Sequence, residues 1–242
     1  MTEEDGWNGF LERALWGLRQ AALVLATEEG RAPHVAKTGW WRRAVFRFDG
    51  RDDVLVPNET SLSEALAREF EILSADQFVS GLGRGERDLR HLSIALEKYR
   101  PLDPGIGPNS KPTDIAIELR EDMIFDLRIE AKTILAEAEI PTGYIREGLV
   151  RFDDAGNPYT NQRFGAMIAY VVNDDEPTWE ERIRVGVVAH VGDPRMGTTT
   201  LSGRPFHTSM HRFVPTIGKI RSEIEVRVIH FVFPVDAEPS LR

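Results

Sequence analysis

Two acidic residues and a lysine, Asp114, Glu130 and Lys132, have the types and the spacing of a hydrolytic site. Successive side chains of an extended chain point to opposite faces, so Glu130 and Lys132 are neighbours on one face of a strand. Two carboxylates that converge on one point repel each other unless a cation lies between them, and such hard oxygen ligands suit Mg²⁺ or Mn²⁺. The lysine beside them completes a set suited to metal-assisted hydrolysis.

A β-hairpin is the element that would bring these groups together. Residues 113–119 and 125–134 alternate or run apolar, and the polar segment Arg120-Glu-Asp122 joins them. If the turn is centred on Asp122, position 114 pairs directly with position 130. Opposed side chains in an antiparallel pair stand roughly 5 Å apart, so the two carboxylates would point at one spot.

The segment Pro112-Thr-Asp114, fifteen intervening residues and Glu130-Ala-Lys132 resemble the PD-(D/E)XK motif of restriction-type nucleases. Thr113 departs from the motif, because the name-giving proline would stand there. Glu59 matches the metal-binding Glu that the family often carries on its first core helix. The resemblance covers about 58–172. It implies an α/β fold with a mixed central β-sheet flanked by helices, a restriction endonuclease-like core, here with an N-terminal helical extension.

The resemblance also implies the roles of these residues. Asp114 and Glu130 would hold one or two Mg²⁺ or Mn²⁺ ions together with the Ala131 carbonyl and Glu59. Lys132 would orient or deprotonate the attacking water and offset charge on the transition state. The implied activity is that of a metal-dependent endonuclease hydrolysing DNA phosphodiester bonds in a prokaryotic restriction or antiviral defence system. DNA is the expected partner, with a homodimer or further defence proteins as additional options.

Other interpretations of the same residues stay open. The chain could be a catalytically silent scaffold with a nuclease-like fold, although such a protein would be expected to lose Asp114, Glu130 or Lys132. The three could instead form a cross-strand salt bridge on a surface hairpin. A carboxylate-pair glycosidase is disfavoured by the lysine beside the glutamate. Glu64 is an alternative to Glu59 as the helix-borne ligand. Asp126 shares the Glu130 face but lies roughly 13 Å along the strand, too far to share an ion.

Charge is unevenly distributed along the chain. The net charge of −9 argues against a protein that coats nucleic acid by charge alone. The stretch 195–231 nevertheless has six Lys or Arg against two acidic residues, whereas 114–153 has ten acidic residues against five bases. We expect four bases of the former stretch to border the acidic cleft and contact DNA phosphates: Arg204, Arg212, Lys219 and Arg221.

His207 and His211 have the spacing of two zinc ligands on one helix face. Pro205 makes a helix doubtful there, and the sequence near them offers no third ligand. Phosphate contact or packing is therefore the preferred interpretation.

Periodicity predicts the remaining elements. Helices are expected from Trp7 to roughly Glu28 and from Ser61 to Leu73, the second with a capping box formed by Ser61 and Glu64. Residues 136–149 look helical in part, and 164–172, 185–191 and 224–235 look like strands. We divide the chain into an N-terminal helix and arm, 1–50, packed on a nuclease-like domain, 51–242. Trp40 and Trp41 among arginines fit either nucleic-acid contact or core packing.

Composition places limits on the cellular setting. The chain has no cysteine, an acidic start and no apolar stretch long enough to span a bilayer. These features predict a cytoplasmic protein with no membrane association.

Overall fold

The computed structural model describes residues 3–38, 43–45, 54–56, 58–81, 87–98, 113–119, 125–156, 158–172, 174–201, 203–216, 222–235 and 238–239. Several sequence predictions fall outside these ranges. They concern Trp40 and Trp41, the hairpin turn at 120–122, and the bases Lys219 and Arg221.

Over the described ranges the chain has an α/β fold in which the strands form two sheets. A small antiparallel sheet contains β1 (Arg43–Val45), β2 (Val54–Val56) and β10 (Glu238–Pro239). The main sheet is mixed and seven-stranded, in the order β3-β4-β5-β6-β9-β8-β7. Its strands are β3 (Leu92–Lys98), β4 (Thr113–Leu119), β5 (Asp126–Ile134), β6 (Phe164–Val171), β7 (Met196–Leu201), β8 (Arg204–Phe213) and β9 (Ile224–Pro234).

In the described parts of the chain, four α-helices and several shorter helical turns accompany the strands. The α-helices are α1 (Glu3–Leu25), α2 (Glu28–Thr38), α3 (Glu59–Ser80) and α4 (Glu176–Val191). A 3₁₀ turn (Glu137–Glu139), a π-helix (Ile140–Arg146) and a second 3₁₀ turn (Leu149–Phe152) follow β5 in succession. Another 3₁₀ turn, Asp193–Arg195, precedes β7. The prediction of partly helical structure over 136–149 is thereby confirmed.

The main sheet separates two hydrophobic cores. On one face α1 and α3 pack against residues such as Ile129, Ile168 and Ile229. On the other face the π-helix and α4 pack against Met167 and Val228, among others. Strand β6 is buried along its whole length because both cores cover it, and it pairs in parallel with β5 and β9. Its uninterrupted apolar sequence is typical of such a central strand.

The predicted hairpin is confirmed, with its predicted register. Strands β4 and β5 are antiparallel, with Ile115 opposite Ile129 and Ile117 opposite Leu127. The apolar alternation 127, 129, 131 packs against α1 and α3.

Helix α3 begins earlier than predicted, and the predicted capping box is wrong. Asn58 is the N-cap, and its side-chain oxygen accepts the backbone N–H of Ser61 over 2.7 Å. Ser61 is therefore inside the first turn rather than at the cap. The helix starts at Glu59, whose carboxylate lies at the positive end of the helix dipole.

The predicted strand 185–191 is also wrong, because this segment is the second half of α4. Asp175 caps the helix through the N–H of Thr178, and its buried residues are Trp179, Ile183 and Val187, spaced at one helical face. The valines near the end of α4 have the composition of a strand. The helix cap and the helical spacing of the buried residues are apparent only over a longer window than 185–191. Val185, by contrast, points to solvent, with 51% of its surface exposed.

Candidate active site

Asp114 and Glu130 are brought together by the hairpin register. The pairing of Ile115 with Ile129, continued by one residue, places Asp114 opposite Glu130. At this point Asp114 Oδ2 accepts the backbone N–H of Ala131 over 2.7 Å, so its carboxylate is anchored to the neighbouring strand. Glu130 is almost completely buried beside it. The sequence prediction of two converging carboxylates agrees with this arrangement.

Lys132 lies between two carboxylates. Its Nζ is 2.8 Å from Glu130 Oε1 and 3.1 Å from Glu59 Oε1. The other Glu59 oxygen, Oε2, accepts the backbone N–H of Thr133 over 2.9 Å. The N-terminus of α3 is thereby joined to the end of β5, at the side of the sheet where β4 begins.

Glu59, and not Glu64, is the helix-borne acid of this site. Glu64 is exposed on α3 and lines a different cavity, together with His34 and Arg68. Both Glu59 oxygens are already engaged, one by Lys132 and one by the backbone of Thr133. In this geometry Glu59 positions the lysine.

Burial and mutual repulsion control ionisation in the site. Burial, followed by the charge of Glu130, raises the pKa of Asp114 from 3.8 to about 6, although the Ala131 N–H and Lys132 act in the opposite direction. Burial alone would lower the pKa of Lys132, but the charges of Glu130 and Glu59 outweigh it, so the pKa lies above its ordinary value. The lysine is therefore a stable cation at neutral pH, whereas Asp114 titrates close to neutrality.

Arg151 and Tyr159 also belong to the site, and sequence reasoning missed both. Arg151 Nη1 lies 3.7 Å from Glu130 Oε1 and donates a hydrogen bond to the Tyr159 hydroxyl. Burial and the nearby Glu130 charge both raise the pKa of Tyr159, so its hydroxyl keeps its proton. In the sequence they are only a basic and an aromatic residue downstream of the motif. No spacing rule connects them to it.

The π-helix and Gly148 keep the segment that carries Arg151 and Tyr159 close to Lys132. A Cβ at Gly148 would lie 2.5 Å from Met167 Cε and 2.8 Å from the Tyr144 carbonyl oxygen, so only glycine fits. The same position is 3.4 Å from Lys132 Cγ. The close approach of the chain at Gly148 is what lets Arg151 reach Glu130.

Asp126 takes no part in the site. It is buried and accepts hydrogen bonds from Arg128 Nε at 3.0 Å and Arg128 Nη2 at 2.8 Å. The predicted separation of Asp126 from the two carboxylates is consistent with this pairing. As a mutational control Asp126 is unsuitable, because its replacement would remove the carboxylate at 2.8 Å from the buried Arg128 guanidinium and leave Glu118 at 3.9 Å.

The arginines predicted to contact DNA lie elsewhere on the sheet. Arg204 pairs with Glu176 and Glu180 of α4, and Arg212 pairs with Glu225 of β9. Both arginines are on β8, which is separated from β5 by β6 and β9, roughly 14 Å across the sheet. The structure does not bring them to the carboxylates, and their contact with DNA stays a prediction.

His207 and His211 are on strand β8 rather than on a helix, so they stand roughly 13 Å apart. His211 belongs to a buried chain of hydrogen bonds on the π-helix side of the sheet. The chain runs from Tyr144 Oη to His230 Nδ1 at 2.9 Å, from His230 Nε2 to Ser209 Oγ at 2.9 Å, from Ser209 Oγ to His211 Nε2 at 2.8 Å, and from His211 Nδ1 to Asp153 Oδ2 at 2.9 Å.

Ser209, His211 and Asp153 have the connectivity of a nucleophile, a base and an orienting acid. The serine hydroxyl is, however, buried and bonded on both sides by histidines, so no substrate can approach it. We interpret the chain as a structural network that ties β8 and β9 to the π-helix.

A divalent ion fits the donor set of Asp114 and Glu130. Mg²⁺ is commonly held by one or two carboxylates with water completing its shell, so a larger acidic cluster is not required. Among the described residues, no three His, Asp or Glu side chains form a ready metal-binding group. Lys132 is the counter-cation of both Glu130 and Glu59.

The chain matches no protein-family model, no curated protein and no solved structure. No helix in the described parts of the chain is long and apolar enough to cross a bilayer.

Proposed function

We propose that this protein is a metal-dependent endonuclease of the PD-(D/E)XK type, with a restriction endonuclease-like core, that hydrolyses DNA phosphodiester bonds in a prokaryotic restriction or antiviral system. One observation carries the proposal. Asp114, Glu130 and Lys132 converge at the end of a buried hairpin, where the N-terminus of α3 contributes Glu59. The arrangement brings together the residues on which the motif resemblance rests, and it supports the function that the resemblance implies.

Asp114 and Glu130 would hold Mg²⁺ or Mn²⁺, with the Ala131 carbonyl as a further oxygen ligand. When bound, the ion supplies Lewis-acid polarisation of the scissile phosphate and lowers the pKa of a water molecule. Burial raises the pKa of Asp114 most, and repulsion from the Glu130 carboxylate adds to it; this repulsion supports the assignment. A cation between them would relieve that repulsion.

Lys132 would act through its charge. A lysine whose pKa is raised by two carboxylates stays protonated and is a poor base at neutral pH. We therefore assign it to orienting the attacking water and offsetting negative charge on the phosphate in the transition state. Glu59 keeps the ammonium group at the end of β5 through its contacts to Lys132 Nζ and the Thr133 N–H.

The proposal is tested by incubating the purified protein with supercoiled plasmid, linear duplex and single-stranded DNA in Mg²⁺, Mn²⁺ or EDTA. We expect cleavage that requires the metal and is lost in Asp114→Asn. Glu64→Gln is the matched control, because Glu64 is an exposed acid on α3 away from the site. Equal cleavage by wild type and Asp114→Asn would contradict the proposal.

A second candidate is a catalytically silent nuclease-fold scaffold. One observation favours it: Lys132 already neutralises Glu130 and Glu59 within the chain, and this ion-pair network can persist without a metal. The two candidates differ in their response to Mn²⁺. A scaffold would cleave no form of DNA in Mn²⁺, whereas the nuclease would cleave DNA.

A further inference from the structure

Arg151 is a second cation beside the carboxylates, and it is positioned differently from Lys132. Lys132 Nζ is 2.8 Å from Glu130 Oε1, whereas Arg151 Nη1 is 3.7 Å from the same oxygen. The lysine side chain is 14% exposed, and the arginine side chain is 39% exposed. The charge of Glu130 is thus already paired with that of the less exposed Lys132, and Arg151 lies at the solvent side of the site.

Tyr159 holds Arg151 in this place. The two residues are joined twice, by the side-chain hydrogen bond and by a backbone hydrogen bond from Tyr159 N to the Arg151 carbonyl over 3.3 Å. The guanidinium carbon lies 5.6 Å from the centre of the tyrosine ring. Phe152 packs edge-on against that ring, with centroids 5.3 Å apart. The arginine is therefore pre-oriented rather than a freely rotating surface side chain.

The guanidinium has donor capacity left over. Within the described residues Arg151 donates a side-chain hydrogen bond only through Nη1, to Tyr159. Its remaining N–H groups lie in a fixed plane, a geometry that matches two oxygens of a phosphate. A partly exposed, pre-oriented guanidinium next to a carboxylate pair is suited to an anion that enters from solvent.

We propose that Arg151 binds a non-bridging oxygen of the substrate phosphate and that Tyr159 is the positioning residue that aims it. This inference rests on the proposed nuclease function and adds the group that recognises the phosphate. The metal-binding carboxylates repel an approaching phosphodiester, and Arg151 offsets that repulsion at the entrance of the site. This contact carries no sequence information, because a phosphate is common to every nucleotide.

Cleavage of plasmid in Mg²⁺ provides the first test. Arg151→Ala should lower kcat/KM by about 10²–10³-fold, the range for loss of one charged donor to a reacting group. Added guanidinium chloride at millimolar concentration should restore part of that loss, since it supplies the missing cation. Tyr159→Phe should lower cleavage less and show no response to guanidinium, because Arg151 is still present.

Arg146→Ala is the matched control. Arg146 is also an arginine of this segment, but it is 70% exposed and its contact is a long one to Glu147. Its variant should cleave like wild type. Circular dichroism and thermal unfolding of each variant separate a folding defect from a loss of phosphate binding, and guanidinium rescue would not be seen for a merely unfolded protein.

Binding of a fluorescent DNA duplex in EDTA provides a test without chemistry. Loss of one phosphate contact should reduce the slope of log K against log salt by roughly one in Arg151→Ala, with Arg146→Ala unchanged. If wild type cleaves DNA but Arg151→Ala equals it in cleavage and in salt slope, the Arg151 inference is overturned and the nuclease proposal stands. If wild type cleaves nothing while the slope still changes, the nuclease proposal fails and the phosphate contact stands. Absence of both effects overturns both.

Discussion

The carboxylate of Asp114 accepts the backbone N–H of Ala131, the residue between Glu130 and Lys132. This bond couples the position of the first acid to the strand that carries the second acid and the lysine. Strand β5 therefore carries two of the three side chains and anchors the third. An ordinary cross-strand salt bridge would tie side chain to side chain, whereas this contact fixes a carboxylate to the backbone and leaves the rest of its coordination capacity for a ligand.

Removal of either carboxylate should abolish metal-dependent cleavage. Asp114→Asn keeps an oxygen that can accept the Ala131 N–H, and Glu130→Gln keeps the shape of a buried side chain, so both variants are expected to fold. The double variant should be little worse than either single one, because residues that act as a unit are non-additive. Plasmid cleavage rates and Mn²⁺ binding by calorimetry measure this. Additive losses would show that the two residues act separately.

Lys132→Met should reduce cleavage by orders of magnitude while metal binding is retained or tightened, since the ammonium that competes for Glu130 is gone. Without metal the variant should be less stable, by at most roughly 3–5 kcal/mol for a broken buried pair, because Arg151 still faces Glu130. Added Mn²⁺ should then raise the melting temperature of Lys132→Met more than that of wild type. An equal or smaller rise would argue against a shared position for the lysine and the metal.

Asp114 should make metal-free stability depend on pH. Its pKa is about 6 in the folded chain against 3.8 ordinarily, so the folded state binds the proton more tightly. The stabilising contribution of the protonated form is fully present below pH 4 and is lost as pH rises through about 6. In EDTA at pH 8, Asp114→Asn should be more stable than wild type by on the order of 2–3 kcal/mol, and the gain should vanish near pH 4.

Denaturant unfolding at several pH values measures that difference. Saturating Mg²⁺ should reverse its sign, because only wild type keeps both carboxylate ligands. A gain in stability of Asp114→Asn that is the same at pH 4 and pH 8 would show that ionisation of Asp114 is not its cause.

The buried chain from Tyr144 to Asp153 admits one direction of proton donation when Asp153 is a carboxylate and both imidazoles are neutral. His211 must then carry its proton on Nδ1 and His230 on Nε2, with Tyr144 donating to His230 Nδ1. Nitrogen NMR shifts of the two imidazoles should give these tautomers, one of each kind. Ser209→Ala removes a partner from both rings and should cost about 1–3 kcal/mol.

His230 should also make the fold sensitive to acid. Burial lowers its pKa from 6.5 to about 3, so its contribution to stability is present above pH 6.5 and is lost as pH falls toward 3. His230→Gln should therefore unfold with a weaker dependence on pH between these limits. An unchanged pH profile would show that another group controls acid unfolding.

The hairpin and its register were predictable because they depend on local alternation. The strands that carry Asp114 and Glu130 are separated by a short connection in the sequence. One face of β5 is apolar, which leaves a single register compatible with burial. The strand prediction for 185–191 failed because a short run rich in valine does not distinguish a strand from the last turns of a partly buried helix. The distinguishing features, Asp175 and Trp179, precede that run.

The remaining members of the site could not be predicted from a short motif. Arg151 and Tyr159 reach Glu130 only because the π-helix and Gly148 carry the chain back across β5. That path is set by packing against Met167 and by the absence of a side chain at one position, neither of which produces a periodic pattern. The cap at Asn58 was missed because Ser61, three residues further on, is a second polar candidate for that role.

Strand β6 has further consequences for how the site is assembled during synthesis. Its two parallel pairings join it to β5 and to β9, which follows β6 only after α4, β7 and β8. The hairpin with Asp114 and Glu130 forms from neighbouring segments, but β6 is enclosed only when β9 has been made. Loop closure over such separations delays folding, so the carboxylates come together early and their support comes late. Deletion of β9 should therefore inactivate a site whose own residues all lie between 59 and 159.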